Sequence, residues 1–245
     1  MNSILKMIVN MHKNILGLFL FGLFLLASCN KSKKTHHVSQ KHLPKIGDEM
    51  NKAKKEAAEA ESIDTLTMLS SKLSPEAAKA IIEAKSTKIV QLISRKSFAS
   101  IGKQYTHPIH GIRFSPYSNV ALKSDQVYAS TQILKAWGDV SAINWGTQDG
   151  KGGDILLSFP KYYEQYIYNK DYKASKKVKY NETEGTGNMI DNWLEIYPNA
   201  IMVEYYMDGT DPKFGGMDWG LLRLFFEIHH GKWWLVGIAH GEWTT

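Results

Sequence analysis

Apolar and polar positions divide the chain sharply. Residues 15–27, ILGLFLFGLFLLA, contain no polar side chain. Residues 30–47, NKSKKTHHVSQKHLPKIG, have no apolar period and predict an extended tether. Residues 48–63, DEMNKAKKEAAEAESI, favour helix through Ala, Lys and Glu but carry almost no apolar stripe, so they predict a solvated spacer. From Ser74 the pattern becomes periodic. Ser74 suits an N-cap, Pro75 the first helical position, and Glu76 the positive helix N-terminus. Ile81, Ile82, Ala84, Ile89, Val90, Leu92 and Ile93 then recur at roughly helical spacing.

Downstream, residues 96–105 predict a second short helix, 111–116 an extended piece, and 130–137 another helix. Residues 158–169, SFPKYYEQYIYN, predict a helix capped by Ser158, with Phe159, Tyr162, Tyr163, Tyr166 and Ile167 on one side. Residues 176–181, 199–207 and two final runs are rich in Val, Ile, Tyr and Trp and predict strands. The Gly-containing segments TQDGKGGD (147–154) and NETEGTGN (181–188) match neither a phosphate loop nor a calcium loop, and read as turns. Helices first and strands later predict an α+β class: N-terminal helices packed on a curved, mainly antiparallel sheet.

The two final runs, LLRLFFEI and KWWLVGIAH, predict a hairpin closed by Ile228 opposite Trp233. Gly231 supplies a positive φ, and His tolerates the left-handed region, so His229 and His230 are expected at the exposed turn. Strict alternation then puts Leu222, Leu224, Phe226 and Ile228 on one apolar face with Trp233, Leu235, Gly237 and Ala239. The opposite, mixed face would carry Leu221, Arg223, Phe225 and Glu227 with Trp234, Val236, Ile238 and His240. On this reading His240 is about 30 Å from the turn, so the histidines do not form one site.

Composition adds little to the fold and more to the address. Of 245 residues, 43% are hydrophobic and 22% charged, as in ordinary globular proteins. A net charge of +6 suits an anionic partner or membrane surface and does not point to nucleic acid. The single cysteine, Cys29, excludes an intramolecular disulfide and a Cys-rich zinc site. Lys6 and Lys13 precede the apolar run, as in a secretory signal, and the run is short for a membrane-spanning helix.

The run ends in Leu26, Ala27, Ser28 and Cys29, which resembles the lipobox of bacterial lipoproteins. The resemblance implies a signal peptide over 1–28, acylation of Cys29 and a lipid-bilayer anchor. Residues 29–73 are then tether and spacer, and 74–245 the folded domain. Lys31, Lys33 and Lys34 would lie near anionic head groups. Asn30, where an Asp would favour inner-membrane retention, points to the outer membrane of a cell that has one. His36, His37 and His42 in the tether offer little selectivity, and no metal is expected there.

The helices-first order, THP…GIRFSPY (106–117) and MDWGLLRLFFE…GKWWLVGIAHGEWT resemble the nuclear-transport-factor-2-like (NTF2-like, SnoaL-like) superfamily, in particular uncharacterised bacterial envelope modules. The resemblance implies a cone-like α+β fold with a pocket between helices and sheet, and no catalytic residues. The polar candidates for that pocket are His107, Arg113, Tyr117, Glu204, Asp218, Arg223 and His240, with His110 beside His107. No motif implies a cofactor. A non-catalytic module binding a small ligand, a glycan or an envelope protein is expected, with Trp137, Trp145, Trp193, Trp219 and the tyrosines of 159–168 as contact or core residues. The alternative is a hydrolase or isomerase using His240 or Asp218 as base, positioned by Arg223 or His107.

Overall fold

Ser74 starts the first long helix as its chemistry demands. Its Oγ accepts a hydrogen bond from Ala77 N at 3.3 Å, and Pro75 occupies the first turn. The computed structural model describes residues 70–184 and 190–243. Signal peptide, Cys29, tether and the 48–63 spacer lie outside the described residues, as does the second half of the later Gly segment, 185–188. Helix α1, Pro75–Ser94, buries Ala78, Ile82, Ser86, Ile89, Val90 and Ile93, one stripe at helical spacing. Ile81 and Ala84, expected in the stripe, face solvent.

Helix α2 (Phe98–Gln104) follows, then strands β1 (Ile112–Ser115) and β2 (Gln126–Tyr128) and helix α3 (Ser130–Ala136). A separate hairpin, β3 (Ile143–Thr147) with β4 (Asp154–Leu157), was not expected from the sequence; its connection is the Gly segment read as a turn. Helix α4 (Phe159–Tyr162) passes into a π-helical turn, Tyr163–Ile167. All five apolar side chains expected on one side of this segment are buried. Ser158 holds the N-cap position without a side-chain cap bond. Strand β5 (Lys177–Tyr180), helix α5 (Trp193–Ile196), β6 (Ile201–Met207), β7 (Gly220–His229) and β8 (Lys232–Glu242) complete the described chain.

Six strands form one mixed sheet in the order β2-β1-β8-β7-β6-β5. Four of its pairings are antiparallel; β1 and β8 run parallel, so their C-terminal ends emerge side by side. One face carries Phe114, Val203, Leu222, Leu224, Phe226, Leu235 and Ile238, which join the buried residues of α1, α2, α3 and α4 in a single core. Its centre is aromatic. Trp145 is fully buried, stacks on Tyr162 at 3.9 Å between ring centroids, and donates its Nε1–H to Leu157 O at 2.8 Å. The other face is covered by Trp193, Tyr197 and Ala200, packed on Met202, Phe225, Val236 and Ala239.

The β7–β8 hairpin closes with Ile228 opposite Trp233 and His229 opposite Lys232. Its turn residues His230 and Gly231 have φ of 49° and 70°, the pair of left-handed conformations that a tight hairpin turn requires. Alternation then fails at one point. Phe226 pairs with Leu235 but Phe225 with Gly237, so Val236 is an extra residue in the strand. Beyond this bulge every side chain of β8 changes face. Leu224 faces Ile238 and Leu222 faces His240, whereas Arg223 lies opposite Ala239. The expected placement of His240 beside Arg223 is therefore corrected: they occupy opposite faces of the sheet.

Candidate functional site

The parallel pairing of β1 and β8 brings two distant segments together. The loop after β1 (116–125) and the end of β8 (Gly241, Glu242) meet the tip of β3 (Gly146, Thr147) and the turn beyond it (Gln148, Asp149). With Ile190 they enclose a cavity of about 570 Å³, within the range of small-ligand pockets.

Asp125 forms part of this wall and is 8% exposed. Its Oδ2 accepts hydrogen bonds from Ser115 Oγ at 2.6 Å and Ala121 N at 2.9 Å. Burial raises its pKa to about 6; the two hydrogen bonds and the nearby Arg113 charge offset only part of that. Arg113 also pins the loop backbone, donating from Nη1 to Leu122 O at 3.4 Å and Asp125 O at 3.3 Å. Across the cavity, Glu242 Oε2 lies 3.3 Å from His240 Nε2. Burial pushes Glu242 up, but the His240 hydrogen bond and charge, with Lys170, bring its pKa below the ordinary value. Tyr117 lines the wall and accepts a hydrogen bond from Asp149 N at 3.1 Å through its hydroxyl oxygen.

Of the seven residues expected in one pocket, Tyr117 lines this cavity. His240 sits behind it, fully buried, with Tyr166 edge-on at 6.0 Å and its Nδ1 without a partner among the described residues. Arg113 lines a neighbouring hollow of about 230 Å³ with Tyr197 and Glu227. His107 lies in another hollow, with His110, Glu227 and His229. Glu204 and Arg223 are fully buried on the opposite face, Nε to Oε2 at 2.9 Å. Asp218 accepts hydrogen bonds from Thr210 N and Asp211 N at 2.9 and 3.1 Å, and these hold its pKa low. It shapes a turn at the mouth of β7. Trp145, Trp193, Trp219, Tyr162, Tyr163 and Tyr166 are core residues, and Trp137 is half-buried on Phe98.

No protein-family model, curated protein or solved structure matches this chain. The chemistry of the site is accordingly read from its own residues. Asp125 and Glu242, its two perturbed carboxylates, were not among the sequence candidates. Glu242 had a visible signal: it stands two residues from His240 on one strand, hence on the same face. Asp125 had none, because only the fold of its loop buries it.

Among the described residues, the one group of three His, Cys, Asp or Glu side chains close enough to share a metal ion is His107, His110 and Glu227. Its arrangement is unfavourable for that role. His107 Nδ1 accepts hydrogen bonds from Ile109 N at 3.2 Å and His110 N at 2.9 Å, which places the neutral ring's proton on Nε2, the only nitrogen left to ligate. The His107 and His110 rings are stacked within 9° at 4.3 Å, so their in-plane lone pairs do not converge. Burial, then His110 and His229, lower the His107 pKa to about 4, in keeping with a neutral structural ring.

Proposed function

We propose that this chain is a lipid-anchored bacterial envelope protein whose folded domain binds a small polar ligand in the cavity between the 116–125 loop, the β3 tip and the end of β8. The observation that carries the binding reading is that cavity, about 570 Å³, walled by hydroxyl, amide and carboxylate groups. The dispersal of the proposed bases favours binding over catalysis: His240 is enclosed and Asp218 holds a turn. The helices-first order, the mixed sheet and the closing hairpin support an NTF2-like cone for the domain. The anchor rests on the Leu26-Ala27-Ser28-Cys29 motif and its basic, apolar flank. No described helix is long and apolar enough to cross a membrane.

The two halves of the proposal are tested separately. Cys29→Ser should abolish incorporation of labelled fatty acid and leave an uncleaved or unlipidated precursor; continued labelling would sink the anchor. For the cavity, Thr147 points from a lining strand and is exposed. Thr147→Trp should fill the space without disturbing the core. Native mass spectrometry of the wild-type chain purified in mild detergent should show a small bound molecule that the variant lacks. Equal occupancy in both, or none in either, would remove the binding reading.

A further inference from the structure

The protein carries a formal charge of +6, yet its cavity is acidic. Asp125, Asp149 and Glu242 line it, and no Lys, Arg or His does so among the described residues. A second observation comes from Asp125 itself. Asp125 is more than nine-tenths buried in the cavity wall, both of its hydrogen bonds fall on Oδ2, and Oδ1, which has no hydrogen-bond partner among the described residues, is not sealed from the cavity. Oδ1 is therefore an acceptor that water or a ligand in the cavity can use.

We infer that the cavity ligand is an organic amine, whose ammonium group docks on Asp125 Oδ1. This rests on the cavity being the binding site proposed above. A metal ion is the obvious competitor for the same oxygens. The geometry disfavours it: the three carboxylates do not fall within sharing distance of one ion, the His107 group being the only one that does among the described residues. Separated carboxylates around a cavity of this size suit a molecule that presents its positive charge at one place and hydroxyl or further amino groups at others. Ser118, Ser124, Thr147 and Gln148 supply neutral partners for those groups. Removal from water strengthens the ammonium–carboxylate attraction at Asp125, and Ser115 and the Ala121 amide already fix the carboxylate's orientation.

The inference is tested by isothermal titration calorimetry on the full chain in detergent. Cadaverine and glucosamine are the amine probes, and 1,5-pentanediol and N-acetylglucosamine their uncharged counterparts. The amines should bind at least tenfold more tightly than the counterparts. Asp125→Asn, whose amide oxygen can replace Oδ2 and keep both hydrogen bonds, should lose at least tenfold, and Thr147→Trp should lose binding altogether. Lowering the pH from 7 to 5 should weaken amine binding about tenfold as Asp125 takes up a proton near pH 6, with Arg113, Ser115, Tyr162 and Tyr197 the groups near enough to influence it. Three results would overturn the inference: counterparts binding as tightly as amines, undiminished amine binding to Asp125→Asn, or no amine binding at all. If the uncharged probes bind and Thr147→Trp abolishes that binding, the amine class falls while the cavity reading stands. If amine binding survives Thr147→Trp, the amines sit elsewhere and the inference fails.

Discussion

Arg223→Met should destabilise the domain by about 3–5 kcal/mol, the usual consequence of stranding a buried charge. Arg223 and Glu204 are both fully buried, opposite each other on β7 and β6. The pair is held by Nε to Oε2 at 2.9 Å. Nη1 lies 2.8 Å from Asp191 Oδ2 as an ion pair outside hydrogen-bond alignment, and Nη2 has no partner among the described residues. Methionine fills most of the arginine's volume, so packing loss is small and the charge effect dominates. Among the described residues Glu204 would then keep only the Glu184 amide, 2.8 Å from its Oε1, because Lys179 across the sheet pairs with Glu184 at 3.6 Å instead. Removing both charges should cost much less than removing one. The double variant Arg223→Met with Glu204→Gln is expected to recover about 2 kcal/mol, since the amide keeps an acceptor for Glu184 N and carries no charge. Urea unfolding followed by Trp fluorescence reads both. A single-variant loss under about 1 kcal/mol, or no recovery in the double, would show that the pair is effectively solvated.

How far the sequence reveals this arrangement depends on the range of the interactions involved. Helix α1 was legible because its signals are local: a Ser-Pro-Glu start and an isoleucine stripe within a few turns. The His230-Gly231 turn was legible for the same reason, since its conformational demand falls on two adjacent residues. Strand β6 announced itself by β-branched and aromatic content. The bulge at Val236 did not, because a single extra residue leaves composition and alternation nearly unchanged while reversing the faces of all that follows. His240 was misplaced by that one residue. Trp145 was open between contact and core, and only the packing of Tyr162 and the β3–β4 hairpin decides it. The cavity was least legible of all. Its walls come from residues 116–125, 146–149 and 241–242, joined by the parallel contact of the first and last strands, and no local spacing encodes such a meeting. Tyr117 was chosen by residue type; Asp125 acquires its character wholly from burial.

Gly111→Ala should cost about 2–4 kcal/mol although no ligand group is near it. Gly111 is buried at the entrance to β1 with φ of 67°, and a Cβ there would stand 2.6 Å from Tyr128 O, in the backbone of β2. The left-handed conformation alone costs an alanine about 1 kcal/mol, and overpacking against backbone typically adds about 1–3 kcal/mol. Relief would have to come from moving β1 away from β2, because Gly111 N is tied to His107 O at 3.0 Å on its other side. β2 is a three-residue edge strand whose one strand neighbour among the described residues is β1, with Ile112 opposite Tyr128 and Phe114 opposite Gln126. Asp125 immediately precedes it. A displaced β2 would therefore shift the one carboxylate that the cavity wall buries, and ligand affinity should fall together with stability. Gly153→Ala is the matched control: a Cβ there meets nothing within 4 Å, so its unfolding midpoint should stay within about 0.5 kcal/mol of wild type. Parallel urea titrations of the two variants, with calorimetry at the cavity, decide the matter. If Gly111→Ala unfolds alongside Gly153→Ala, the β1–β2 junction is plastic and cannot be what fixes Asp125.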